Sequence, residues 1–239
     1  MTLAKPPLNV LDIAMMQEMV RALTELEGDP TLRVLVVRAE GKAFSAGVDV
    51  SEHTADKVEE MIHVFHDIFH HMSHIHAPIV AVVDGAALGG GCEVVLFADI
   101  VLASERSKFG QPEIQVGVFP PVAAVVLPYL TGRQKALELL LTGDVIKADE
   151  AHRIGIVNQV LPVEGFDEAV DAYISKISRL SGPVLQVTKR AMMECMERPF
   201  PKAMEYVEDV YLRELMAIKD AHEGLAAFLE KRKPEWKDR

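Results

Sequence analysis

Ile79-Val-Ala-Val-Val-Asp-Gly-Ala-Ala-Leu-Gly-Gly-Gly-Cys-Glu93 is the stretch on which the fold turns. Ile79 to Val83 is an unbroken apolar, β-branched run and reads as a buried strand. Asp84-Gly85 ends it, and a helix is expected to open near Gly89-Gly90. Glycine lets backbone come close to a ligand, and the free N–H groups at a helix start favour developing negative charge. Glu93 follows Gly90 by three residues, one turn on and on the same face. A backbone donor and an acid/base group would therefore share one substrate.

A bland alternative exists for each part. Glycine triplets are often only packing points, and a glutamate in a first helical turn usually just complements the helix dipole. Two further segments shift the balance. Phe44-Ser-Ala-Gly-Val-Asp49 follows the strand-like Arg33-Val-Leu-Val-Val-Arg38 and offers a second exposed N–H near Val48. Phe109-Gly-Gln-Pro-Glu113 supplies a second carboxylate.

With these segments in order, and with Lys5-Pro-Pro-Leu-Asn9 before them and Glu223-Gly-Leu-Ala-Ala-Phe-Leu-Glu-Lys-Arg-Lys233 after them, the chain resembles the crotonase, or enoyl-CoA hydratase/isomerase, family over nearly its whole length. The resemblance implies an α/β fold: a spiral of ββα units with a C-terminal helical trimerisation region. It implies that the N–H groups of Val48 and Gly90 form an oxyanion hole around a thioester carbonyl, and that Glu93 and Glu113 are the acid/base pair. It further implies substrate contacts from Lys5, Ala46, Asp49, Gly89, Pro120, Val122 and Lys231. Lys5 and the Lys231-Arg-Lys233 run are the candidates for the phosphates of coenzyme A, although charged helix ends are usually only solvated. The partner is an acyl-CoA thioester, so coenzyme A arrives with the substrate and no separate cofactor is expected. Assembly as a homotrimer or a dimer of trimers is implied as well.

The chemistry follows from that arrangement. Polarising the carbonyl makes the far carbon of a conjugated C=C electrophilic, and a preorganised donor is worth about 3–4 kcal/mol. One carboxylate then deprotonates water while the other handles the α-proton, each typically worth about 10²–10⁴-fold. Having both acids favours hydration over double-bond isomerisation, which can run on the Glu113-type residue alone, and argues against a catalytically silent scaffold. A dinucleotide oxidoreductase is disfavoured, because Gly85 and Gly89-Gly-Gly91 lack the G-x-G-x-x-G spacing.

Two departures from the family pattern stand out. Hydratases commonly carry a glycine-rich run after the segment matching Gly117-Val-Phe-Pro120, where this chain has Pro120-Pro-Val-Ala-Ala124. Together with Pro6-Pro-Leu-Asn-Val-Leu-Asp12 this is similar to the branch that hydrates cyclohexa-1,5-diene-1-carbonyl-CoA. Only four residues precede Lys5, so the N-terminal strand pair of the family is expected to be shortened.

Composition bounds the rest. At 239 residues and 49% hydrophobic, the chain can bury a substantial core. Residues 1–180 are expected to form the spiral core and 181–239 the helical region. A formal charge of −11 argues against nucleic acid as partner. No apolar run approaches a membrane span and no signal-peptide pattern opens the chain, so a cytoplasmic location is expected. Cys92 and Cys195 are too few for a disulfide framework, and Cys92 reads as a packing residue.

The pattern along the chain alternates strand and helix. Asp12 can cap a helix carrying Met16, Met19, Val20, Leu23 and Leu26, and strand 33–39 follows. Helix 56–75, strand 79–83, the Gly90 helix and strand 100–103 come next, implying parallel crossovers. Beyond Pro120 helices dominate, with Leu137, Leu140 and Leu141 as an apolar face, apart from a short strand over 156–160. Six of nine histidines fall between His63 and His76, beside an apolar stripe of Val58, Ile62, Phe65, Phe69 and Met72. Such a tract is only a compositional hint of metal binding, and no metal is expected.

Overall fold

A computed structural model describes residues 1–238. The chain divides into two compact units: the first comprises Met1–Glu25, Val36–Ser73 and Ile79–Asp171, and the second takes 26–35, 74–78 and 172 onward.

The first unit is built from three successive strand–strand–helix repeats, as a spiral of ββα units requires. After a two-residue edge strand β1 (Thr2–Leu3) and helix α1 (Ile13–Leu26), the repeats begin. They are β2 (Leu35–Ala39), β3 (Ala43–Ser45) and α2 (Val58–His74); β4 (Ile79–Val83), β5 (Ala86–Leu88) and α3 (Gly90–Leu96); and β6 (Ile100–Ser104) and β7 (Lys108–Gly110), followed by a 3₁₀ turn, Pro112–Val116, and helix α4 (Pro121–Thr131). The first strand of each repeat enters one sheet and the second enters another. With β8 (Val145–Lys147) and β9 (Gln159–Leu161), the sheet orders are β1-β2-β4-β6-β9 and β3-β5-β7-β8. Recorded neighbours in the first sheet run parallel, β4 pairing with β6 from Val80↔Ile100 to Val83↔Ala103. In the second sheet only the β7–β8 pair is antiparallel. Helices α5 (Arg133–Thr142), α6 (Ala148–Arg153) and α7 (Phe166–Ser178) follow.

The first sheet's central strands are apolar because both faces are covered: every residue of Ile79–Val83 is buried. Asp12 caps α1 through Oδ1, which accepts from Met15 N–H at 3.0 Å. Met16, Met19 and Leu23 are its buried stripe, with Val20 and Leu26 half-buried.

Several element-level readings are corrected. The stretch after Asp84-Gly85 is not wholly a turn, since Ala86–Leu88 is a strand. On α2 the buried face is Met61, Phe65, Ile68, Phe69 and Met72; Val58 is exposed and Ile62 half-buried. On α5 the buried residues are Ala136 and Leu139, and Leu137 and Leu141 face outward. Ile156 and Val157 are buried in the turn after α6, and the strand begins later, at Gln159.

The second unit holds α8 (Gly182–Met196), α9 (Phe200–Asp209), a π-helical turn Val210–Glu214 and α10 (Lys219–Glu230). Its C-terminal segment is tied down by carboxylates. Asp220 accepts from the N–H groups of Lys237 and Asp238, and Asp238 in turn accepts from Gly182 N–H. Among the described residues no helix is long and apolar enough to cross a membrane.

Candidate active site

The site lies within the first unit, where the second strands of the repeats end. Asn9 is fully buried and left-handed (φ 50°), and its side chain stitches three segments together. Its Oδ1 accepts from Lys5 N–H at 2.7 Å, and its Nδ2 donates to the carbonyls of Glu40 and Ala43 at 2.7 and 2.9 Å. Ser45 Oγ donates to Asn9 O at 2.7 Å and accepts from Gly47 N–H at 3.1 Å. The loop that carries Val48 is thus fixed from both sides. Leu11 and Val48 form a parallel bridge in which Leu11 N–H donates to Gly47 O and Asp49 N–H donates to Leu11 O. Alternation along an extended chain then turns the Val48 N–H to the opposite edge, away from Leu11.

That edge meets the start of α3. A β-carbon built on Gly47 would lie 3.6 Å from Gly90 N, and one on Gly90 would lie 2.6 Å from Val48 Cγ2 and 3.1 Å from the Phe65 ring. One on Gly91 would lie 2.4 Å from Ser45 Cβ. The glycine run therefore permits the Val48 loop and the helix start to touch. Gly89 caps α3 at φ 50°, ψ −132°, and the Gly90 N–H opens the helix with no partner inside it. The Val48 loop and the start of α3 are thereby brought into contact.

Both carboxylates reach this corner. Glu113 Oε1 lies 2.6 Å from where a Gly89 β-carbon would stand, so only glycine admits it there. Burial pushes Glu113 up to about 6. Glu93 is 2% exposed, and burial pushes it up to about 8, with the Glu113 charge adding to the rise. The N–H groups of Val122 and Ala123 oppose that rise by donating to Glu93 Oε1 at 2.7 and 2.8 Å. Pro120 and Pro121 have no N–H, so these two amides are the first donors of α4, both directed to Glu93. Both carboxyls are raised, Glu93 further than Glu113, so each holds its proton to higher pH than an ordinary carboxyl does.

The remaining predicted residues are placed as follows. Ala46 is exposed and its N–H donates to Leu8 O; Asp49 caps a short 3₁₀ turn by accepting from Ser51 N–H, and the Ser51 hydroxyl together with that N–H holds its carboxyl low. Lys5 Nζ is ion-paired with Asp12. Pro120 is buried, and Val122 is half-buried, its amide on Glu93. Lys231 is exposed in the second unit, at the left-handed C-cap of α10. Burial pushes the Cys92 thiol up, away from nucleophilic use. Among the described residues no cluster of three or more His, Cys, Asp or Glu is placed to hold a metal ion.

Sequence reasoning missed the Asn9–Ser45 clasp, Phe65 behind Gly90, and the use of the Val122 and Ala123 amides. Asn9 and Ser45 lie in recognisable motifs and Phe65 on an apolar stripe, but none of these signals showed the contact it makes.

Known proteins are similar to this chain over its whole length. The enoyl-CoA hydratase/isomerase family model matches residues 1–239. A cyclohexa-1,5-dienecarbonyl-CoA hydratase of Thauera aromatica is 40% identical over 238 residues, covering 99% of this chain and 92% of that protein. A probable enoyl-CoA hydratase of Rhizobium meliloti is 36% identical over 242 residues, covering 100% and 93%. Among solved structures, an enoyl-CoA hydratase of Mycobacterium smegmatis superposes with a TM-score of 0.92 at 31% identity, over 98% of this chain and 94% of that one. One from Geobacillus kaustophilus gives 0.91 at 35%, over 100% and 93%. With its three ββα repeats and a glycine-opened helix bearing Glu93, the chain belongs to the enoyl-CoA hydratase/isomerase family.

Proposed function

We propose that this protein is a hydro-lyase that adds water to a conjugated enoyl-CoA thioester, with cyclohexa-1,5-diene-1-carbonyl-CoA as the favoured substrate. The observation that supports the reading is the approach of the Glu113 carboxylate to Gly89, at the start of the helix that carries the buried, raised Glu93, with the Val48 loop packed against Gly90. In this reading the N–H groups of Val48 and Gly90 receive the thioester oxygen as it gains negative charge. The ionised member of the Glu93–Glu113 pair takes a proton from water as its oxygen bonds to the far carbon. The protonated member delivers a proton to the α-carbon. One water is consumed, the C=C becomes a single bond, and the pair ends with the same single proton. A scaffold has no use for carboxyls held in this costly state, and an isomerase needs only one of them.

Gly89, Ala46, Asp49, Pro120 and Val122 would frame the thioester and acyl group, Lys5 would meet the coenzyme A phosphates, and Lys231 would do so at a neighbouring copy's site. No cofactor is required beyond the coenzyme A of the substrate. The cyclic substrate is supported by the likeness to the Thauera cyclohexa-1,5-dienecarbonyl-CoA hydratase and by Pro120-Pro-Val-Ala-Ala124. Two prolines stiffen that segment, and a rigid ring loses less freedom on entering a stiff pocket than a straight chain does. We also propose a homotrimer or a dimer of trimers as the working assembly.

Assay with crotonyl-CoA and cyclohexa-1,5-diene-1-carbonyl-CoA, with product analysis in ¹⁸O-water, tests the reading. Label entering a hydroxyl product is expected, with higher kcat/KM on the cyclic thioester. An unlabelled product with a shifted double bond would make the protein an isomerase. A tenfold preference for crotonyl-CoA, about 1.4 kcal/mol at the transition state, would return it to the general hydratases.

A further inference from the structure

Gln111 is the unexplained polar group of this region. It links β7 to the 3₁₀ turn that carries Glu113 and is 2% exposed, yet neither Nε2 nor Oε1 has a hydrogen-bond partner in the protein. A buried carboxamide is almost always satisfied, because leaving it bare forfeits its hydration with nothing in return. Replacing it with an apolar residue would remove that penalty, so a polar partner from outside the chain is called for.

The surroundings say what that partner is. Gln111 lines a cavity of about 10 Å³ together with Cys92, Leu96, Phe109, Leu127 and Ile146, among others. A single water needs roughly 10–15 Å³ and polar neighbours, so the cavity has room for one water at most and for no larger ligand. Apart from the weak Cys92 thiol, the Gln111 carboxamide is the side-chain group there able to hold it.

The position of the cavity gives the water a role. Cys92 precedes Glu93 on α3, Gln111 stands two residues before Glu113 across Pro112, and Leu127 lies one turn beyond the Ala123 amide that holds Glu93. All three parts of the acid/base apparatus thus have a near neighbour on its wall. Glu113 Oε2 is also buried without a partner in the protein, so its turn gains little anchorage from its own carboxylate. We infer that Gln111 is a positioning residue: its carboxamide, through one buried water behind α3, fixes the turn that aims Glu113 at Gly89.

The role in turnover rests on the hydratase reading, so the test includes measurements that need no substrate. A high-resolution crystal structure of the wild type should show one water hydrogen-bonded to Gln111 in this cavity. Gln111→Met, close in size, removes the polar group. In protein carrying ¹³Cδ-glutamate, with Glu113→Gln identifying the resonance, Gln111→Met should shift the Glu113 titration midpoint, which mere loss of packing would leave in place. Hydration kcat should fall about tenfold with KM within twofold. Gln111→Asn serves as a second variant if Gln111→Met does not fold, and should shift the same midpoint. A carboxamide bonded only to protein atoms, or an unmoved Glu113 titration in folded Gln111 variants, would overturn the inference. Inactivity of the wild type would sink the hydratase reading and leave these two readouts standing.

Discussion

Glu93 and Glu113 are held in states that cost stability, and the cost has a sign. Glu93 rises from an ordinary 4.5 to about 8 in the folded protein, so between those values the folded chain binds more protons than the unfolded one. Stability therefore falls as pH rises from about 4.5 to about 8 and levels off above, and Glu113 contributes in the same direction up to about 6. Glu93→Gln keeps an oxygen for the Val122 and Ala123 amides but no longer titrates. The variant is expected to match the wild type near pH 4.5 and to exceed it near pH 8.5, read by denaturant unfolding at both values. A wild type more stable than Glu93→Gln at pH 8.5 would contradict the burial account. Activity should move oppositely: Glu93→Gln and Glu113→Gln are each expected to lower kcat by about 10²-fold or more, with affinity for a CoA thioester unchanged in direct titration. Full turnover in both variants would refute the pair.

At the scale of elements, the close approach of α3 to the Val48 loop decides whether the donors can stand together. Gly91→Ala puts a methyl within 2.4 Å of Ser45 Cβ and 3.1 Å of its carbonyl oxygen, and Ser45 is pinned to Asn9, so the clash cannot be relieved by a side-chain turn. A loss of about 1–3 kcal/mol in urea unfolding is expected, with a fall in kcat as the loop is pushed from Gly90. Wild-type stability and rate together would mean that the contact is not tight. The same scale shows what the sequence could reveal. Strands β2, β4 and β6 have five residues each and are mostly apolar, so they were legible. Strands β3, β5 and β7 have three residues each, too short to show a period, and β3 is buried throughout. The α2 stripe was legible at Phe65, Phe69 and Met72, but Met61 and Ile68 complete the buried face where Val58 and Ile62 were expected, because all four are similarly apolar. At the candidate site the glycines and carboxylates were visible as types at a spacing. The donation from α4 to Glu93 was not, since backbone amides leave no mark on a sequence.

For the whole molecule, the question is what covers the second unit. Helix α9 buries none of its side chains, although Phe200, Ala203, Met204 and Val207 recur at helical spacing on one face. Phe200 is 77% exposed, and on α8 Met192, Met193 and Met196 are exposed as well. Scattered exposed apolar residues need no explanation, but a helix whose apolar stripe is exposed at Phe200 and Met204 and only half-buried at Ala203 and Val207 calls for a partner surface. Methionine and phenylalanine suit such a surface, since both bury large area, and methionine adapts its shape to what it meets. Under the proposed assembly, copies of this chain would cover that stripe. Sedimentation equilibrium should then give three or six times the 26.4 kDa of the chain. Phe200→Glu would bury a charge wherever the stripe is covered, so it should shift the mass toward the single chain while the circular dichroism of the folded unit persists. A wild type that sediments as one chain at micromolar concentration, or a Phe200→Glu variant with unchanged mass, would remove α9 from the interface.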